Sequence, residues 1–491
     1  MVRLLGQCTP RSGRSPLEHG LTASRTTYTR PVIAGSERAA DQTPLAWRAA
    51  ALALLAAGAG LGSRIARLPA RRVAVGSGLV GLATIAVVRE GTRRALEARR
   101  AGPPAAAGET KPPAPPGPGS PQPLPRISVV IAARDEILAL PALIRDLGRQ
   151  DHRAADGSPA FDVVVVDDRS TDGSGAAARA AAEQAGLGAV TVIVRRQAGS
   201  RPDGKGAALA AVPDEILQGD AVLVFDADAR IEADFVRRVA VRVGDGCAAF
   251  TARRRVAGSD LRAAVQDDEQ TVDTLVQRAR GGLGGCPEFR GNGMVVTTAR
   301  LRAIGGWRAG TLTEDLDLST RLAIGGARVV LADDLEVWEA ATGSLPAFAR
   351  QRLRWAEGSL RRFLDLLPAA ITSSELSLPA KVDLASSAAQ LLLPSVVLGA
   401  VFDGARRRSP RAALAFVGGC AATTWALAWM ALRDATLGRR PGQHRAAHAA
   451  VTAVYLLHWV AVTPAALVLV ALRPGAVTFA RTRERRLPPT T

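Results

Sequence analysis

The stretch Val222–Phe235, VLVFDADARIEADF, decides how the chain is read. Apolar residues Val222–Phe225 run directly into Asp226-Ala227-Asp228. A short run that is apolar at every position reads as a strand covered on both faces, as in a parallel sheet. Open sheets of that kind place ligands beyond the carboxyl ends of their strands. Two carboxylates one residue apart at such an end can hold a divalent cation, and the cation can hold a diphosphate. The plain alternative is an acidic turn, since Asp is common in turns. The surrounding sequence decides between them.

From Arg126 to about Ala340 the composition is that of an α/β domain. Ile127–Ala132, Phe161–Val166, Val190–Val194 and Ala221–Phe225 read as strands, and Leu138–Gly148 and Gly173–Gly186 as helices between them. Such alternation implies right-handed crossovers and a parallel sheet. The polar strand endings, Arg134-Asp135-Glu136 and Asp167-Asp168, should then converge on one edge with Asp226 and Asp228.

The flanks are different. Residues 1–43 form a polar, basic tail without an apolar run, expected to be disordered, and the first apolar run lies too far in for an ordinary signal peptide. Ala49–Gly62 and Val73–Val88 fall short of the roughly 20 residues of a membrane span. Flanking Trp47, Arg48, Arg64, Arg89 and Arg93 can snorkel to extend them, so residues 44–90 are read as a two-helix membrane hairpin rather than soluble Ala-rich helices. Residues 91–125 hold a Pro/Gly/Ala linker whose prolines forbid a packed helix. The α/β domain is placed at 126–343 and a basic amphipathic interface helix at 344–370. Three spans follow within 384–472: Leu384–Phe402, broken by Pro394, then Ala412–Leu432 and Ala449–Leu472. Residues 473–491 form a polar tail.

Composition narrows the partners. Lys and Arg outnumber Asp and Glu by 63 to 45, giving a net charge of +18. That excess suits nucleic acid, anionic lipid or a phosphorylated substrate. With no zinc-finger spacing and no aromatic-studded RNA motif, nucleic acid is not expected. Cys8, Cys247, Cys286 and Cys420 are scattered and form neither a disulfide framework nor a metal site.

Five features stand in order on the α/β domain: Ala132-Ala133-Arg134-Asp135-Glu136, Asp167-Asp168-Arg169-Ser170-Thr171-Asp172-Gly173-Ser174, Gly204-Lys205-Gly206, Asp226-Ala227-Asp228, and Thr313-Glu314-Asp315 trailed by Gln351-Arg352-Leu353-Arg354-Trp355. Over roughly residues 126–365 the series resembles the family 2 inverting glycosyltransferases. The resemblance implies the GT-A fold, an α/β Rossmann-like mixed sheet for nucleotide-diphospho-sugars, here with flanking transmembrane helices. It also implies hexosyl transfer from a nucleotide sugar, UDP-glucose by default, to a hydroxyl acceptor.

Each motif has its chemistry in that reading. Glu136 and Asp168, with Asp167 as second choice, would accept hydrogen bonds from the base or ribose; each is otherwise a turn or cap carboxylate. Asp135 stands where the family usually has Asn, which keeps an acceptor and loses a donor. Lys205 would meet the diphosphate or be a solvated loop lysine. Asp226 and Asp228 would hold Mg²⁺ or Mn²⁺, with Asp228 the more direct ligand. Asp315 would be the general base that deprotonates the acceptor hydroxyl, with Glu314 the runner-up; Thr313 would cap the helix that carries both. Gly291-Asn292-Gly293 would be a small-residue turn beside sugar and acceptor, or a plain turn. Gln351, Arg354 and Trp355 complete QxxRW, with Arg354 for the diphosphate and Trp355 for a sugar face, or else form an interface helix anchored by its Trp.

The text around Gly305-Gly306-Trp307 and Gln351–Gly358 is similar to bacterial glucosyltransferases that make monoglucosyldiacylglycerol, while polymer synthases of the cellulose, chitin and hyaluronan type share much of it. Few spans with few polar residues favour a single transfer to a membrane lipid over a polysaccharide channel. A non-catalytic scaffold and a nucleotidyltransferase are the readings of another class; the intact carboxylate set and QxxRW speak against them. The enzyme is expected to be a multi-pass protein of the cell membrane. Its catalytic domain would face the cytoplasm because nucleotide sugars are there, since Arg clusters in every loop give no orientation.

Overall fold

In the computed structural model the residues described are 43–100, 123–187, 190–195, 204–437, 446–473 and 475. The predicted tails, apart from residues 43, 473 and 475, and residues 101–122 of the predicted linker lie outside them, while residues 91–100, read from sequence as linker, belong to a helix.

Two helices come first, α1 (Thr43–Ala66) and α2 (Ala70–Arg100). α2 runs well past the apolar stretch read from sequence, and its far end docks on the α/β domain through Arg99 and Asp334, 2.6 Å apart. The α/β domain follows as β1 (Ile127–Ala133), α3 (Leu140–Gly148), β2 (Phe161–Asp168), α4 (Ser174–Gln184), β3 (Thr191–Arg195), α5 (Lys205–Leu209) and β4 (Ala221–Asp226). It continues with α6 (Phe235–Gly244), β5 (Ala249–Ala257), α7 (Leu261–Gly282), β6 (Met294–Thr297), α8 (Thr298–Ala303), α9 (Glu314–Ile324) and β7 (Val330–Ala340). Last come α10 (Leu345–Thr372), α11 (Leu378–Gln390), α12 (Leu393–Arg406), α13 (Arg411–Arg433), α14 (Ala446–Leu456) and α15 (His458–Leu472).

The sheet has the order β3-β2-β1-β4-β6-β5-β7. The first four strands are parallel, as the helix–strand alternation predicts. β6 runs antiparallel to β4 and β5, which makes the whole sheet mixed. Side chains alternate across it, so Val129 and Ile131 meet α3, α4 and α6, while Val130, Val164 and Val222 meet α5, α8 and α9. Burial on both faces is why the central strands β1, β2 and β4 are mostly apolar.

Five stretches are long and apolar enough to cross a membrane: Leu45–Ala66, Ala70–Arg100, Leu378–Arg406, Arg411–Arg433 and Ala446–Leu472. The break expected near Pro394 falls at Leu391-Leu392, and Pro394 sits in the first turn of α12, where a missing N–H costs nothing. The last stretch is also divided, between Leu456 and His458.

Candidate active site

The parallel register brings the strand ends together. Ala133 lies opposite Asp167, and Ala132 opposite Asp226. Glu136 and Asp168 both line the cleft beyond these ends. Asp168 is buried and held by Arg169 Nε and Arg195 Nη1, each 3.1 Å from its Oδ1. Asp167, one residue earlier on the strand, turns to the other side. Its Oδ1 accepts from the Ser170 amide at 3.0 Å, and it packs against Gly175. Asp135 has φ 54, a left-handed conformation that Asp tolerates better than most residues. Its Oδ1 accepts from the Thr171 amide at 2.7 Å, so the acceptor that an Asp shares with an Asn is the one in use.

Lys205 is not a solvated loop residue. It opens α5, and its ammonium points into the cleft. Nζ donates to Asp226 Oδ1 at 2.6 Å and to the Gly291 carbonyl, and lies 3.6 Å from Glu314 Oε1. Burial pulls its pKa down, but Asp226 and Glu314 outweigh this and the net shift is upward. Asp228 is 1% exposed and lines the same cleft.

α9 presents Glu314 and Asp315 at its first turn. Thr313 precedes them without making the predicted side-chain cap. The reason is packing: its side chain lies against Gly358 of α10, so close that a Cβ there would sit 2.5 Å from Thr313 Cγ2. Burial pushes the Glu314 carboxyl up to about 7; Lys205 opposes the rise and Asp315 adds to it. Burial also raises Asp315, opposed by the Leu316 amide, Lys205, Arg290 and Arg254. Gly291 has φ 80, and a Cβ on it would lie 3.4 Å from Asp315 Oδ2. Asn292 is fully buried and its Oδ1 accepts from the Asp226 amide at 3.2 Å. Gly293 pairs with Val224 and lies against Ala252 and Val337. Gly291 alone of the three faces the cleft; the other two hold the Asp-Ala-Asp strand end.

α10 brings in Gln351, Arg354 and Trp355. Arg354 Nη1 donates to the Leu312 carbonyl at 3.3 Å, next to Thr313. Gln351 Oε1 accepts from Thr342 Oγ1 at 3.1 Å and from Arg352 Nη1 at 2.8 Å. Trp355 lies under two guanidinium groups, Arg352 at 4.3 Å and Arg254 at 5.2 Å from its ring centre.

Sequence reasoning did not find what holds this corner. Arg352, the residue inside QxxRW taken as a spacer, is 1% exposed and paired with Glu269 of α7. Glu269 also accepts from Tyr455 Oη at 3.0 Å and Trp459 Nε1 at 3.0 Å. One carboxylate thus ties α7, α10, α14 and α15. Nearby, Arg255 is paired with Asp267 at 3.1 Å and Arg254 with Glu339. A run of three arginines gives no sign of a buried strand, because the partners are distant in sequence.

Apart from Asp167, Asn292 and Gly293, every predicted site residue lines a single cavity of about 2240 Å³. The acidic side chains in it suit a hard divalent cation, which takes oxygen ligands. Among the described residues no group of three or more His, Cys, Asp or Glu side chains could hold a metal. Asp226 and Asp228 would therefore leave positions for diphosphate oxygens and water, the usual pattern for Mg²⁺. Lys205 already balances the charge of Asp226, so a cation there would share that carboxylate with the ammonium.

Residues 125–358 match the family described as glycosyltransferase like family 2. A beta-monoglucosyldiacylglycerol synthase of Synechocystis sp. is 31% identical over 389 residues, 76% of this chain and 78% of that protein. The protein of the same name from Nostoc sp. is 31% identical over 245 residues, 49% of this chain and 50% of its own length. Among solved structures, the mannosyltransferase PcManGT from Pyrobaculum calidifontis, in complex with GDP-Man and Mn2+, is 20% identical with a TM-score of 0.49, covering 82% of this chain and 99% of that one. The mixed α/β sheet is the GT-A arrangement expected from the motifs. The chain belongs to glycosyltransferase family 2.

Proposed function

We propose that this membrane enzyme transfers a hexosyl group, with inversion, from a nucleotide-diphospho-sugar to the hydroxyl of a membrane lipid. UDP-glucose and diacylglycerol are the first pair to test. The observation that carries the reading is the Synechocystis relative, matched over 78% of its length. A membrane site for the catalysis accords with the five apolar helices, and a cytoplasmic catalytic domain with the supply of nucleotide sugars.

In this mechanism Glu136 and Asp168 take hydrogen bonds from the nucleoside. Lys205 and Arg354 neutralise diphosphate charge. A bound Mg²⁺ or Mn²⁺, held by Asp228 and Asp226, would supply further charge neutralisation on the leaving group. Asp315 takes the proton from the acceptor hydroxyl as its oxygen bonds to the anomeric carbon. The bond from that carbon to the diphosphate oxygen breaks, and the nucleoside diphosphate leaves with its electron pair. Gly291, having no side chain, leaves Asp315 open to the acceptor. Trp355 forms the wall behind the sugar.

The test is to reconstitute the protein in vesicles with diacylglycerol, Mg²⁺ and labelled UDP-glucose, and to identify the lipid product by mass. One added hexose is expected, and Asp315→Asn should abolish it. A ladder of sugars would overturn single transfer, and a nucleotide-bearing lipid would overturn glycosyl transfer altogether.

A further inference from the structure

We propose that the membrane half of the cavity is the binding site for the hydrocarbon chains of the acceptor, which slide in sideways from the bilayer until the hydroxyl reaches Asp315. This rests on the lipid-acceptor reading above.

Volume is the first argument. Small-molecule sites are roughly 300–1,000 Å³, whereas this cavity is about 2240 Å³ and reaches from Asp226 and Asp315 into the helix bundle. A nucleotide sugar at the strand ends leaves most of that space unfilled.

The second argument is the chemistry of the walls. Val73, Val80 and Val87 of α2 line the cavity at seven-residue intervals, with Ser77 and Thr84 between them. That spacing sets them on one face of a helix. At 1.5 Å per residue the row from Val73 to Val87 is roughly 21 Å long, most of the way across a hydrocarbon core of about 30 Å. Val397 of α12 and Phe416 of α13 also line it. Asp383, in the middle of α11, is paired with Arg280 of α7 at 2.9 Å, at the end near the α/β domain. Carboxylates and arginines thus gather at the catalytic end, while among the described residues the walls along the helices carry only Arg72 as a charge and mix apolar residues with hydroxyls such as Ser77, Thr84 and Thr423, a lining that suits a lipid with its hydroxyl at one end.

The third argument is the opening. α2 packs along α13 and α7, while α1 packs along α12 and α15. The cavity lies between these pairs. Val80 is 68% exposed and Val87 54% exposed although both line it, so the space is open beside α2. A lipid would reach it without leaving the bilayer.

Two measurements test this. A diacylglycerol with a photoreactive diazirine at the end of one chain, irradiated with the wild-type protein in vesicles, should label the cavity face of α2 and Phe416. Labelling confined to the outer positions Leu79 and Leu82 of α2 would overturn the proposal. Val80→Trp and Val87→Trp should lower turnover of dioleoylglycerol relative to dihexanoylglycerol by about tenfold, while Leu82→Trp leaves both unchanged. An unchanged ratio in both cavity variants would also overturn it. Labelling does not require turnover. Cavity labelling by wild type that forms no glucosylated lipid would therefore sink the proposed reaction and keep the lipid site, whereas normal product with labelling only outside would do the reverse.

Discussion

Lys205 Nζ lies 2.6 Å from Asp226 Oδ1, so the Gly-Lys-Gly loop and the Asp-Ala-Asp strand end form one ion pair across the cleft. The same ammonium approaches Glu314 to 3.6 Å, and so connects the end of β4 to the first turn of α9. Removing it should injure both. Lys205→Ala is expected to raise the donor KM at least tenfold. It should also cost roughly 1–3 kcal/mol of stability by removing this ammonium from the buried Glu314 and the half-buried Asp226. Donor kinetics and thermal unfolding in detergent measure the two effects; wild-type values for both would refute the pairing.

The pH profile should be shifted toward neutrality. Burial raises both Glu314, to about 7, and Asp315. A base acts only once its proton is gone, so with Asp315 as the base kcat/KM should climb at a pH above the ordinary carboxylate value of about 4. Glu314→Gln removes a neighbouring negative charge and should move the acid limb to lower pH. The stability sign is the opposite of the usual carboxylate case. A raised folded value favours the fold below the unfolded value, and that contribution is lost as pH rises through the folded one. An acid limb at about 4 in the wild type would contradict the burial of this pair.

Glu269 should be indispensable to the architecture although it stands outside every family motif. Glu269→Ala would leave Arg352, which is 1% exposed, without its counter-charge. Breaking a buried pair this way costs about 3–5 kcal/mol. Glu269→Gln keeps the shape and should cost less. Thermal unfolding ranks the three proteins, and an alanine variant as stable as wild type would show that the pair contributes nothing.

Gly358→Ala separates sterics from helix propensity. Alanine favours a helix over glycine by about 1 kcal/mol. Here, however, the added Cβ would lie 2.5 Å from Thr313 Cγ2 and push α10 off the turn that carries Asp315. A displacement of about 1 Å at a reacting group can cost 10²-fold in rate. Turnover should fall at least tenfold with helix content unchanged by circular dichroism; full activity would mean that α10 yields without disturbing Asp315.

The strand ends were legible because their chemistry is local. Val222–Asp228 carries its own burial pattern and its own carboxylates, and the parallel register follows from alternating strands and helices. Apolar spans are equally local, since length and hydropathy define them, although α2 continues to Arg100 on polar residues whose partners lie in the distant β7 region. The Thr313 cap was misread because local capping preference is overridden there by contact with Gly358.

By itself, then, the sequence determined the family, the α/β class, the five apolar helices and which carboxylates stand at strand ends, because each is written in neighbouring residues. Only the tertiary structure decided that Lys205 bridges Asp226 and Glu314, that Arg352 is a buried partner of Glu269, and that the cleft opens into a space between α2 and α12. These depend on groups up to hundreds of positions apart meeting in a low-dielectric interior, where an unpaired charge is costly and a partner must be found wherever the fold supplies one.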